Sequence, residues 1–151
     1  VTASVQPTHA PGVMDFPAAA MAAVYPPARW RDAHLARTLA DHGAHLAFAS
    51  DWPVTDVSVM RGLQGALTRV PYAGADDERL GLHDTLAAYT AGGAWAAHRE
   101  ALVGRLAAGL AADAVVIDGD IEAMPPPTLG SRGIALTIAG GRVTHASGAF
   151  G

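Results

Sequence analysis

Short unbroken apolar runs and helical stripes alternate along the first two thirds of the chain. Val1 to Val5 is a run of strand length, ended by Pro7, with His9 just beyond its tip. Residues 11 to 27 hold Pro11, Gly12, Pro17, Pro26 and Pro27, which predicts loop with one helical turn near Ala18 to Ala23. A helix is expected over 28–42, where Leu35, Ala36, Leu39 and Ala40 share a face and Gly43 is a stop signal. Ala44 to Ser50 is a second strand. It must end before Pro53, which cannot donate to a sheet ladder, so Asp51 falls at its C-terminal tip. Taken as runs without polar alternation, the two strands predict a parallel βαβ unit covered on both faces. Val57, Met60, Leu63, Ala66 and Leu67 mark a helix over 57–69, and Pro71 to Arg79 is a polar, acidic loop. Leu86, Tyr89, Thr90 and Ala94 mark a helix over 83–97, begun by His83 or Asp84 and weakened in its middle by Gly92-Gly93.

The period then changes. Ala114-Val115-Val116-Ile117 reads as a strand ended by Asp118-Gly119-Asp120. Ile134 to Ala139 is another, and Gly140-Gly141 is a two-residue hairpin turn into Arg142 to His145. Pro125-Pro126-Pro127 separates the first of these strands from the hairpin. The expected organisation is therefore an α/β part over 1–103 and a small antiparallel β part over 104–151.

Composition narrows the function. Half of the 151 residues are hydrophobic but only 6% are aromatic, so the core must depend on close backbone approach. All ten positive charges are arginine, and a net charge of −4 argues against a nucleic-acid partner, which needs clustered basic charge. No apolar run is long enough for a membrane span, and with no cysteine there is neither a disulfide framework nor a thiolate metal site. Nothing here calls for a compartment other than the cytoplasm. Because the chain opens within a strand and without an initiator Met, it is expected to be cut from something longer.

Candidate chemistry concentrates at the two strand tips. In parallel α/β folds, ligands bind and reactive side chains point at the C-terminal ends of the strands. Asp51 sits there, although an aspartate after a strand also serves to cap the next turn or helix. His9 occupies the same kind of tip, and a carboxylate with an imidazole can bind a metal or move a proton. His34, His42, His83 and His98 fall on helices or their ends and are expected to be solvated or satisfied, with His42 favoured by a helix C-terminus. His145 is expected to be exposed in the hairpin. There is no G-x-S-x-G and no H-E-x-x-H. Gly104 and Gly109 have P-loop spacing, but Leu110 stands where the lysine is required.

Four blocks, in order, resemble amidohydrolase family 3, the YtcJ-like branch of the amidohydrolase superfamily of metal-dependent hydrolases. They are Ala3-Ser4-Val5-Gln6-Pro7-Thr8-His9, Phe48-Ala49-Ser50-Asp51-Trp52-Pro53-Val54, Leu86-Ala87-Ala88-Tyr89-Thr90, and Gly104-Arg105-Leu106 leading through Gly109 to Ala112-Asp113-Ala114-Val115-Val116-Ile117-Asp118. The resemblance covers nearly the whole chain. It implies an α/β fold: the C-terminal portion of a (β/α)8 TIM barrel, with Val1 to Val5 as strand seven and Ala44 to Ser50 as strand eight. Residues from 104 onward would form part of a small β-sandwich.

By the same resemblance, Asp51 is the strand-eight aspartate, which binds metal and accepts a proton from the attacking water. His9 and Trp52 would face a small-molecule substrate. The implied cofactor is a divalent metal, zinc, and the implied reaction is hydrolysis of an amide, a formamide or a related C–N bond. The strand-one His-x-His pair and the ligands from strands four to six are not in this chain. Leu110 replaces a lysine usual after the glycine at position 109. A catalytic zinc takes three protein ligands, so the chain alone is expected to be inactive. Its partners would be the remainder of the barrel or a second copy, with no nucleic acid and no membrane. The alternative is a non-catalytic α/β module that needs a partner chain or self-association.

Overall fold

A computed structural model of the chain describes residues 1–10, 12–13, 23–71 and 74–148. Strand β1 (Thr2–Val5) pairs in parallel with β2 (His45–Phe48), Thr2 opposite His45 and Val5 opposite Phe48. Between them lie a 3-10 turn at Pro7–His9, a second at Pro27–Asp32, and helix α1 (Ala36–Asp41). Helices α2 (Val59–Thr68), α3 (Leu82–Tyr89) and α4 (Ala91–Ala96) follow. Strands β3 (Ala114–Ile117), β4 (Ile134–Ala139) and β5 (Arg142–Ala146) form a separate antiparallel sheet in that order. The result is a mixed α/β chain with two small sheets. No helix among the described residues is long and apolar enough to cross a membrane. The helical turn expected near Ala18 to Ala23 lies outside the described residues except at Ala23, which is helical.

Three expectations need correction. The helix expected over 28–42 is two pieces. Pro26 and Pro27 open a 3-10 turn, Ala33 is extended, and His34 takes φ +57, a value no helix can contain. The second piece starts where Glu78, brought from 40 residues away, accepts the Thr38 N–H at 2.9 Å and caps the first turn of α1. The helix expected over 83–97 also breaks, at Thr90 (φ −114, ψ −84) rather than at the glycine pair. The Thr90 hydroxyl bonds back to the Leu86 carbonyl at 2.8 Å, and the chain turns there. The turn lets α4 lie against β2, where a Cβ on Gly92 would stand 1.9 Å from the Leu46 carbonyl oxygen.

The third correction concerns the strands. β1 is not buried on both faces: Thr2 and Ser4 are exposed, while Ala3 and Val5 are half-covered. Val5, Leu46 and Phe48 face the helices, against Ala36, Ala66, Leu80 and Ala88. The exposed side follows the polar positions of the strand itself. The hydrogen bonds His45 N to Val1 O (3.0 Å) and Ala49 N to Val5 O (3.1 Å) show which backbone groups the pair uses. In a parallel ladder alternate residues point to opposite sides. The N–H and C=O groups of Thr2 and Ser4 therefore face one edge, and those of Leu46 and Phe48 the other, where α4 lies against the Leu46 carbonyl. No further strand pairs with either edge among the described residues.

A second core cluster links the two sheets. Leu129, in a 3-10 turn at Pro126–Ser131, is buried with Met60 and Leu63 of α2. Gly130 N donates to the Gln64 Oε1 at 2.8 Å. The hairpin is as expected, with Gly140 and Gly141 both at positive φ (56 and 77), as a two-residue turn of this kind requires.

Candidate functional site

Parallel pairing places the C-terminal tips of β1 and β2 at one end of the sheet, so His9 and Asp51 lie on the same side. Beyond β1 the chain tightens into the Pro7–His9 turn, with His9 N bonded to Gln6 O at 3.0 Å. Beyond β2 it passes through Ala49 and Ser50 to Asp51, which takes φ +59, a left-handed conformation that aspartate tolerates better than most residues. A turn closed by Val54 N to Asp51 O (2.8 Å) and a bond from Trp52 N to Ser50 Oγ (3.2 Å) shape the loop. The Trp52–Pro53 peptide is cis.

Asp51 does not cap the next helix. That role belongs to Ser58, whose Oγ accepts the Arg61 N–H at 3.3 Å. Asp56 supports the same turn, accepting from Ser58 N at 2.9 Å and pairing with Arg61 at 2.8 Å. These bonds, the Ser58 N–H first and then Arg61, hold the Asp56 carboxyl below its ordinary range. The Asp51 carboxylate is exposed and engages no described residue by hydrogen bond or ion pair.

His9 is only half-exposed, and its Nε2 is shielded from solvent. Behind it lies a buried polar wall. His34, expected to be solvated, is instead half-buried. Burial, with smaller contributions from Arg69 and His9, pulls its imidazole down to about 4, so the ring is neutral at pH 7. Arg69 is 6% exposed and donates to the His34 carbonyl at 2.5 Å. Glu78 is 3% exposed and receives both the backbone N–H and the hydroxyl of Thr38. The other histidines behave as surface groups. His42 Nδ1 meets the Thr38 carbonyl at 2.8 Å at the end of α1, His83 pairs with Glu122 at 2.8 Å, His98 is exposed, and His145 is exposed with its Nε2 3.0 Å from the Ile134 carbonyl.

Two residues with no sequence signature hold the tips together. Thr8 and Thr55 are 1% and 5% exposed, and their hydroxyl oxygens lie 2.9 Å apart. The Thr55 hydroxyl also bonds to the Ser50 carbonyl. Trp52, 68% exposed, rims an open depression of about 600 Å³ with Val54, Val57 and Arg61. As metal donors, Asp51 and His9 are right in kind but short in number. Among the described residues no group of three histidine, aspartate or glutamate side chains gathers to hold an ion.

Comparison with known proteins places these features in context. The profile of the amidohydrolase family matches residues 1–145. "Protein LONG AFTER FAR-RED 3" of Arabidopsis thaliana is 31% identical over 121 residues, which are 78% of this chain and 20% of the plant protein. "Putative amidohydrolase YtcJ" of Bacillus subtilis is 28% identical over 123 residues, 78% of this chain and 23% of that protein. A crystal structure of an uncharacterized metal-dependent hydrolase from Pyrococcus furiosus superposes with a TM-score of 0.59 at 24% identity, and this likeness speaks for the fold alone. The match covers 73% of this chain and 22% of that one. The chain thus spans about a fifth of the length of these relatives.

Proposed function

Since the chain belongs to the amidohydrolase family, we propose that it is the C-terminal part of a metal-dependent hydrolase acting on an amide, a formamide or a related C–N bond. On this reading β1 and β2 are strands seven and eight of a (β/α)8 barrel, and β3 to β5 are part of a β-sandwich. The remainder of the barrel would close the open edges of β1 and β2 and bring the missing ligands. Those edges also fit pairing with a second copy, the route a non-catalytic module would take.

The observation that carries the proposal is the Asp51 carboxylate. It is held in a left-handed turn at the strand tip and is engaged by no described residue, while Ser58 does the capping. Asp51 would contribute one oxygen ligand to the metal, zinc being the expected ion. The metal when bound would acidify a water molecule and polarise the scissile carbonyl. The Asp51 carboxylate would accept the proton from that water, and a carboxylate so placed is suited to return it to the departing nitrogen. His9 and Trp52 would contact the small-molecule substrate, His9 from its half-covered place in the Pro7–His9 turn and Trp52 from the rim.

Elemental analysis tests this. The full-length polypeptide should carry zinc or a similar ion that Asp51→Ala loses, and residues 1–151 alone should hold none. Near-stoichiometric metal in the 151-residue chain, or full metal retention by Asp51→Ala, would overturn the assignment.

A further inference from the structure

The hydroxyls that join the two strand tips have only one consistent arrangement of protons. A carbonyl oxygen only accepts, so Thr55 spends its single hydroxyl proton on the Ser50 carbonyl. The 2.9 Å contact between Thr8 and Thr55 must then be donated by Thr8. The chain of bonds runs one way, from the Thr8 hydroxyl to Thr55 and from Thr55 to the Ser50 carbonyl. Thr8 immediately precedes His9, and Ser50 immediately precedes Asp51. The link spans 47 residues of sequence and is buried at both ends. The other hydrogen bonds of the Asp51 loop are local: Trp52 to Ser50, and Val54 to Asp51. They shape the loop without fixing it to the first tip.

We propose that Thr8 and Thr55 are positioning residues whose hydroxyl bridge sets where the Asp51 carboxylate stands relative to the His9 turn, and so tunes how the site binds a divalent cation. The proposal rests on the reading of Asp51 as a metal ligand. Partners that orient a ligand from behind it commonly change metal affinity by about 10- to 100-fold when removed. Valine has nearly the shape of threonine without the hydroxyl. Thr55→Val would remove the acceptor for Thr8 and the donor for Ser50 together, leaving two buried groups unpaired. Thr8→Val would cut only the connection between tips and leave the Thr55–Ser50 bond in place. Thr55→Ser would keep the whole chain of bonds.

The test is Co²⁺ titration of the metal-free, full-length polypeptide, following affinity and the visible spectrum, which reports coordination geometry. Asp51→Ala should abolish binding. Thr55→Val and Thr8→Val should each weaken Co²⁺ binding roughly tenfold and alter the spectrum. Thr55→Ser should stay close to wild type in both. Wild-type affinity and spectrum in Thr8→Val and Thr55→Val, with binding lost in Asp51→Ala, would overturn the bridge while leaving the metal assignment standing. An Asp51→Ala protein that binds Co²⁺ as wild type does would overturn the metal assignment itself. Equal weakening in Thr55→Ser and Thr55→Val would show that packing, not the hydroxyl, matters, and would also defeat the proposal. If Thr55→Val does not fold, Thr8→Val decides: a tenfold loss at an unchanged unfolding midpoint supports the bridge, and wild-type affinity refutes it.

Discussion

The two parts of the chain solve the problem of a sparse core differently. In residues 1–103 helices pack on a two-stranded sheet, and Phe48, Leu63, Leu80, Ala88 and Ala94 are buried in this part. In residues 104–148 only Leu129 and Ala135 are buried hydrophobics, and every residue of β5 is exposed. Leu129 reaches that state from the 3-10 turn between β3 and β4, by packing on α2. The first part has a core but open strand edges. The second has a three-stranded ladder, with a register shift in each strand pair, but borrows its core.

Core truncation should break this contrast most strongly. Leu63→Ala, at 1% exposure where α2 meets Leu129, is expected to cost about 2–5 kcal/mol. Val143→Ala, at 61% exposure on β5, should stay within about 0.5 kcal/mol of wild type. Urea denaturation of both variants measures the difference. Equal losses would mean that β5 is covered in solution.

A smaller effect is expected at Gly62. Alanine in a helix interior ordinarily stabilises by about 1 kcal/mol over glycine. Here an added Cβ would stand 1.8 Å from the Tyr89 hydroxyl oxygen, and burial of that phenol already pushes it up to about 12. Tyr89 is also fixed edge-on to Phe48, with ring centres 5.4 Å apart. Gly62→Ala should therefore destabilise by roughly 1–3 kcal/mol, read by a lowered denaturation midpoint. A raised midpoint would show that Tyr89 swings aside freely.

A dependence on pH is also expected. His34 is held neutral, near 4 in the folded chain against 6.5 ordinarily. The unfolded chain thus takes up a proton first as pH falls. The contribution is intact above pH 6.5, is lost progressively between 6.5 and about 4, and loses nothing more below that. Comparing His34→Asn, which tolerates positive φ, with wild type at pH 7 and pH 5 should show a shallower pH dependence in the variant. Parallel curves would place the proton elsewhere. Asp77 does not confuse the window, because its bonds to Arg79 hold it at about 2.

How much of this was legible in the sequence varies by residue. The strand tips were, because proline and glycine stop apolar runs for stereochemical reasons that hold locally. Parallel pairing of the first two strands was legible in the strand–helix–strand order, and the hairpin in the turn preference of Gly140-Gly141. The open face of β1 was also written in the sequence, as Thr2 and Ser4 alternating with Ala3 and Val5, a pattern masked by reading Val1 to Val5 as one run. The helix breaks at His34 and Thr90 were not legible, since each is set by partners far along the chain: Arg69 on the His34 carbonyl, and β2 against Gly92. Thr8 and Thr55 carried no signal beyond standing next to the candidate tips, because a hydroxyl bridge across 47 residues leaves no spacing rule behind.

Sedimentation velocity on the purified 151-residue chain tests the account most directly. Among the described residues no strand pairs with either edge of the β1–β2 pair, and an open strand edge is a template for pairing with another chain. The account expects the chain alone to self-associate or to lack a cooperative unfolding transition, and to become a discrete folded species only with the remainder of the barrel. A cooperatively folded monomer at micromolar concentration, with no other polypeptide present, would contradict it.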